Sequence, residues 1–117
     1  MIIRRGDVVW VEEIKGEEGS EIRCWHGRPW LVVSNNVGNA HSTTILAAAI
    51  TTRAPKWNFP CHVGVGAESG VYSGSVQTEQ IRTIAKKRIS KICGRVPEEI
   101  MDKVDYALEI SLGLAKE

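Results

Sequence analysis

Pro29 stands directly before the apolar run Trp30-Leu31-Val32-Val33, and after Ser34 the pair Asn35-Asn36 closes it. A run this short, β-branched in its second half and ended by a turn pair, reads as a buried strand and not as a piece of helix. Proline has no N–H for a ladder, so it belongs at the start of such a strand and holds Gly27-Arg28 extended or in a turn. Arg28 is thereby expected at a strand mouth, on the rim of a core. A guanidinium there is a fixed cation with several coplanar donors, suited to a carboxylate or a phosphate. The alternative is a structural ion pair with an acidic neighbour.

The turn Arg5-Gly6-Asp7 leads into a strand over Val8-Val9-Trp10-Val11. A charged loop follows from Ile14 through Glu21 to Arg28. Trp25 and Trp30, near that loop, either cover the edge of a core or offer a stacking surface for a base. Beyond a polar loop over 35–39, residues 43–52 carry flanking threonines and no charge, which predicts a strand buried on both faces. If this strand runs antiparallel to the preceding one, the start of the first neighbours the end of the second. Arg28 and Thr51 then meet at one rim.

Arg53 to Pro60 is a loop presenting Trp57 and Phe59 beside Lys56 and Arg53, either a weak nucleic-acid signal or an apolar plug or dimer contact. His62 to Val65 reads as a short strand, Gly66 to Gly74 as a loop, and Ser75 to Ile84 as one bent strand or two. From Arg82 to Arg95 no acidic residue intervenes, so this is a local basic patch, open to solvation or to phosphate contact. Pro97 is placed as the first residue of a helix, with Glu98 and Glu99 in its first turn. Ile100, Val104, Ala107, Leu108 and Ser111 share one helical face, and Gly113 supplies a stop. About six short strands and one terminal helix make a mainly β chain, a small, partly open barrel with a C-terminal helix packed on it.

The 117 residues are most simply one domain, spanning 1–117. A formal net charge of +1 gives no global positive field, so any nucleic-acid site has to be local. Cys24, Cys61 and Cys93 are odd in number and form no C-x-x-C pair, which points to reduced thiols and a cytoplasmic setting. The N-terminus does not read as a signal peptide, and no apolar stretch approaches membrane-spanning length. Cys24-x-His26 and Cys61-His62 lack the loop spacing of structural zinc sites, so neither a metal nor another cofactor is expected. Nothing marks a base for a Cys61 nucleophile beyond its neighbour His62.

An ordered set of short motifs runs through the chain: Arg5-Gly6-Asp7-Val8, Gly19-Ser20-Glu21, Arg28-Pro29-x-Leu31-Val32-Val33-Ser34-Asn35-Asn36, Asn39, Ala49-Ile50-Thr51, Pro60-x-His62-Val63, Glu79-Gln80-Ile81-Arg82-Thr83-Ile84 and Ser111-Leu112-Gly113-Leu114. Together they resemble the MazF/PemK toxin family over essentially the whole length. The resemblance implies an SH3-like, CcdB-like barrel that forms a homodimer. It also implies a cytoplasmic endoribonuclease, an mRNA interferase, that cuts single-stranded RNA at short motifs without a metal or the ribosome and is neutralised by a cognate antitoxin. The family's catalytic arginine and threonine fall on Arg28 and Thr51, and its RNA-binding positions on Ser20, Glu21, Asn35, Glu79 and Gln80. Between Glu21 and Arg28 the family has a short glycine-rich loop, whereas here Ile22-Arg23-Cys24-Trp25-His26-Gly27 is longer and bulkier.

Metal-free RNA cleavage uses the 2′-hydroxyl as internal nucleophile, so the protein has to take its proton, hold the extra charge of the phosphorane and protonate the 5′-oxygen. Arg28 suits the second task, because a guanidinium donates two parallel hydrogen bonds to phosphate oxygens, and the Thr51 hydroxyl adds a third. A group with a pKa above about 12 is a poor base, so Glu21 is the better candidate. His62 is a further candidate, or else a structural hydrogen-bonder. Two other classes stay open: a non-catalytic barrel toxin that binds DNA gyrase through its terminal helix, and a plain interaction module with Trp57 and Phe59 as its patch.

Overall fold

Short apolar runs at strand length, with helical spacing of apolar residues at the C-terminal end, set the architecture of the chain. The computed structural model describes residues 1–12, 14–15, 24–25, 27–55, 59–70 and 73–116. In chain order these form β1 (Asp7–Val11), β2 (Ile14–Lys15), β3 (Cys24–Trp25), β4 (Arg28–Val32), α1 (Asn36–His41), β5 (Thr44–Thr51), β6 (His62–Val65), β7 (Gly74–Ala85), β8 (Ile89–Arg95) and α2 (Glu98–Ser111). Six strands make one antiparallel sheet in the order β6-β7-β5-β4-β1-β8, and β2 pairs with β3 separately.

Antiparallel partners share a face, and that face alternates along each strand. Val9, Val11, Trp30, Val32, Ile45, Ala47, Ala49, Ile84 and Ile89 fill one side of the sheet. Val8, Leu31, Ala48, Ile50, Val63, Val65 and Val76 fill the other, beneath Met101, Val104 and Ala107 of α2. β5 is thus buried on both faces along most of its length, with Leu46 the exposed exception. The mainly β barrel with a C-terminal helix is the fold that the strand pattern predicts.

Four local features differ from the sequence expectation. The polar stretch after Asn35 is a short helix, because the Asn35 carboxamide oxygen accepts the Gly38 N–H at 2.7 Å and caps it. The basic patch is largely a strand, β8, at the sheet edge. Its pairing with β1 slips twice, and Ser90, Lys91 and Ile92 are all exposed, so no clean alternation survives to read. Pro97 is the N-cap of α2 and not its first helical residue, and the buried stripe is Met101, Val104, Ala107 and Ile110, with Ile100 and Leu108 at its margins. Trp30 is wholly buried in the core and neither covers an edge nor offers a stacking face. Gly113 does end α2, at φ +74°. Among the described residues no helix is long and apolar enough to cross a membrane.

Candidate active site

β1 and β5 flank β4, and the two ladders stop at different places. β1 pairs with β4 as far as Val11↔Arg28, whereas the β5 ladder begins only at Trp30↔Ala49. Pro29 has no N–H to donate, which fits a ladder that starts one residue beyond it. Carrying the register Trp30↔Ala49 two residues outward puts Arg28 opposite Thr51, with about 5 Å between Cα atoms for such neighbours. Both residues belong to the face that holds Trp30 and Ala49, at its open end. Each is half-buried.

The row continues across β5 onto β7, where Ser75 is the partner of Thr51 and Gln77 that of Ala49, and onto β6, where His62 is the partner of Gln77. The Thr51 hydroxyl oxygen accepts the Arg53 N–H at 3.4 Å, which leaves its own O–H free to donate. The buried Ser75 hydroxyl donates to the Arg53 carbonyl at 2.9 Å, so the chain is tied down as it leaves β5. Between Ala48↔Ile81 and Ala49↔Gln77 the register jumps: one step along β5 spans four along β7. The bulged residues are Thr78, Glu79 and Gln80, so the predicted Glu79–Gln80 pair is carried by a strand irregularity of the kind found beside functional sites.

His62 Nε2 and Glu79 Oε2 are 2.7 Å apart, and the histidine side chain is only 2% exposed. Phe59 meets the imidazole edge-on, with ring centroids 4.6 Å apart. His62 therefore orients Glu79 as a buried hydrogen-bonding partner. Asn35 is not brought to this end of the sheet: it follows β4 at the end away from Arg28 and caps α1. Ser20 and Glu21 lie outside the described residues, as do Lys56 and Trp57. In the basic patch Arg95 pairs with Asp7 at 2.8 Å and Lys86 donates to the Asn39 carbonyl, while Lys87 and Lys91 are exposed. Burial raises the Cys93 thiol above its ordinary value, against a smaller lowering by Lys91, so it is no poised thiolate. Cys61 is buried. Among the described residues no three His, Cys, Asp or Glu side chains converge to hold a metal ion.

A family model described as PemK-like, MazF-like toxin of type II toxin–antitoxin systems matches residues 4–112. This chain belongs to that family. As a PemK/MazF toxin it has relatives in both sequence and structure. Endoribonuclease EndoA of Bacillus subtilis (strain 168) is 42% identical over 118 residues, covering 97% of each chain. An endoribonuclease solved in complex with its cognate antitoxin from Mycobacterial species superposes with a TM-score of 0.74 at 29% identity, over 99% of this chain and 98% of that one. A MazE–MazF crystal structure from Deinococcus radiodurans superposes with a TM-score of 0.75 at 25% identity, over 98% of this chain and 99% of the other.

Three site neighbours escape a motif reading of this PemK/MazF chain: Ser75, Gln77 and Thr78, all buried and polar. The alternation Ser75-Val76-Gln77 at the start of β7 was the available signal, since period-two spacing places residues 75 and 77 on one face. Gly74 matters for a different reason. A Cβ there would stand 1.8 Å from the Thr51 carbonyl oxygen and 2.8 Å from its carbon. Backbone atoms cannot swing aside, so Gly74→Ala has to push Thr51 and β7 apart. The expected cost is about 1–3 kcal/mol, read as a lower denaturant midpoint; an unchanged midpoint would mean that the strands separate freely there.

Proposed function

We propose that this endoribonuclease toxin, one MazF/PemK-like domain over 1–117, cleaves single-stranded RNA at short sequence motifs, without a metal and without the ribosome. The observation that carries the reading is the β4–β5 register, whose pair Trp30↔Ala49, extended two residues outward, brings Arg28 opposite Thr51. A guanidinium and a hydroxyl at adjacent strand positions on the rim of a barrel suit a single phosphate. Single-stranded mRNA is the macromolecular substrate in a cytoplasmic setting, and a cognate antitoxin holds the toxin inactive.

In the proposed reaction a base removes the proton of the 2′-hydroxyl, the 2′-oxygen bonds to phosphorus, and the P–O5′ bond breaks. The departing 5′-oxygen takes a proton. The products are a 2′,3′-cyclic phosphate and a 5′-hydroxyl. Arg28 holds the charge that builds on the non-bridging oxygens and donates late to the leaving oxygen, and Thr51 gives a further hydrogen bond. Glu21 serves as the base. Ser20, Glu79 and Gln80 bind RNA, whereas Asn35, whose side chain caps α1 at the other end of β4, takes a structural part in place of the RNA contact expected of it. A net charge of +1 supports a groove assembled across a homodimer in preference to diffuse attraction.

Purified protein incubated in EDTA with a long unstructured RNA tests this directly. Cuts at a recurring short motif with 5′-hydroxyl ends are expected, and Glu21→Gln should slow them and alter the pH–rate profile. Full cleavage by Glu21→Gln with an unchanged profile would remove Glu21 as the base. Absence of cleavage by the folded wild type would sink the ribonuclease reading and send attention to gyrase inhibition.

A further inference from the structure

The bulge that carries Glu79 and Gln80 is held at its root by a hydroxyl chain. Thr78 is completely buried. Its N–H donates to the Cys61 carbonyl at 3.0 Å, and its hydroxyl oxygen lies 2.7 Å from the same carbonyl oxygen. That hydroxyl is also 2.7 Å from Ser111 Oγ and 3.3 Å from the Ala107 carbonyl, both on the last turns of α2. A threonine has one hydroxyl proton. The shorter carbonyl contact takes it, so Ser111 donates to Thr78 and Thr78 donates to Cys61.

The residues that follow make a second contact. His62 follows Cys61, Glu79 follows Thr78, and their side chains meet at 2.7 Å. Among the described residues His62 Nδ1 is buried with no hydrogen-bond partner, so the ring's contact with Glu79 through Nε2 is the one that holds it in place. The Thr78–Glu79 pair is thus clasped by Cys61–His62 on one side, while the C-terminal turn of α2 presses on Thr78 from the other.

We propose that the Ser111–Thr78 hydroxyl pair is a latch that sets the position of the Glu79–Gln80 bulge for RNA, making Thr78 a positioning residue for substrate recognition. The inference rests on the ribonuclease reading and extends it to two residues which that reading leaves unused. Three extra residues in a strand have many ways to lie, and a carboxylate and a carboxamide can select bases only if their main chain is fixed. The Thr78 hydroxyl is engaged by Cys61, Ala107 and Ser111, so the latch acts on binding and selectivity by fixing the bulge and leaves the bond-breaking step alone.

The test compares wild type, Thr78→Val, Thr78→Ser, Ser111→Ala and the Thr78→Val/Ser111→Ala double variant, on an oligonucleotide bearing the motif that wild type cuts and on its single-base variants. Valine keeps the shape of threonine and leaves the backbone bond from residue 78 to Cys61 intact. Thr78→Val is expected to raise KM about fivefold and to lower discrimination between the motif and its variants, with kcat little changed. Thr78→Ser should restore both, and the double variant should be no worse than Thr78→Val alone. A Thr78→Val protein of lowered Tm but wild-type KM and discrimination would overturn the proposal, as would an equal fall in kcat on every RNA. If the wild type cuts no RNA, the ribonuclease reading itself fails and the latch falls with it; if wild type cuts and Thr78→Val matches it, only the latch is lost.

Discussion

Arg28→Ala is expected to lower the RNA cleavage rate by on the order of 10²–10³-fold while the protein stays folded. The residue opens β4 opposite Val11 and, by register, opposite Thr51, half-buried at the end of the apolar face. A donor aimed at charge that develops only in the transition state affects kcat more than KM, because the ground-state phosphate already carries one charge that other groups can hold. Arg28→Lys should recover only part of the loss: an ammonium keeps the charge but not the planar pair of donors that meets two phosphate oxygens at once. Single-turnover rates on the motif RNA, with circular dichroism and a denaturant melt on each variant, separate chemistry from folding. Wild-type cleavage by a folded Arg28→Ala protein would remove Arg28 from the reaction altogether.

Trp30→Ala should produce the largest loss of stability of any substitution considered, about 3–5 kcal/mol. Trp30 is wholly buried, two residues from Arg28, and packs in the cluster formed by Val9, Val11, Val32, Ala47 and Ala49. Alanine there leaves a cavity that a sheet paired on both sides cannot collapse to fill. A small domain has about 5–15 kcal/mol in all, so the variant is expected to melt on the order of 10 °C lower or more and to unfold in part at growth temperature. Urea denaturation checks the free energy. A shift below about 1 kcal/mol would contradict the close packing under the rim that carries Arg28. RNA cleavage should fall with the folded fraction, so activity recovers on cooling for Trp30→Ala and does not for Arg28→Ala.

The strands that position Arg28 and Thr51 were legible because each is central and strongly apolar. Trp30 to Val33 and the run between Thr44 and Thr51 have both faces buried, which suppresses charge along them and leaves threonine, proline and asparagine to mark the ends. α2 was legible for a related reason: one buried stripe at helical spacing, acids at its start and a glycine at its stop. β8 was not. It is an edge strand whose outward residues are charged or polar and whose pairing slips, so its pattern resembles a solvated loop. The short helix after Asn35 was hidden because its stability comes from one capping bond and from Asn39 packing inward, not from an apolar period.

By itself the sequence determined the mainly β class, the terminal helix and the likeness to the PemK/MazF family, and through Pro29 and the ends of two apolar runs it singled out Arg28 and Thr51 as the proposed pair. Those conclusions need only local preference and order along the chain, which are written in neighbouring residues. Tertiary structure alone decided that the Glu79–Gln80 pair rides on a three-residue bulge, that His62 orients Glu79 from a neighbouring strand, and that Ser111 reaches Thr78 from the end of α2. It also sent Asn35 to the far end of β4. Each of these joins residues separated along the chain or distinguishes the two ends of one strand, and the register that does so is set by how whole strands pack, not by any local pattern.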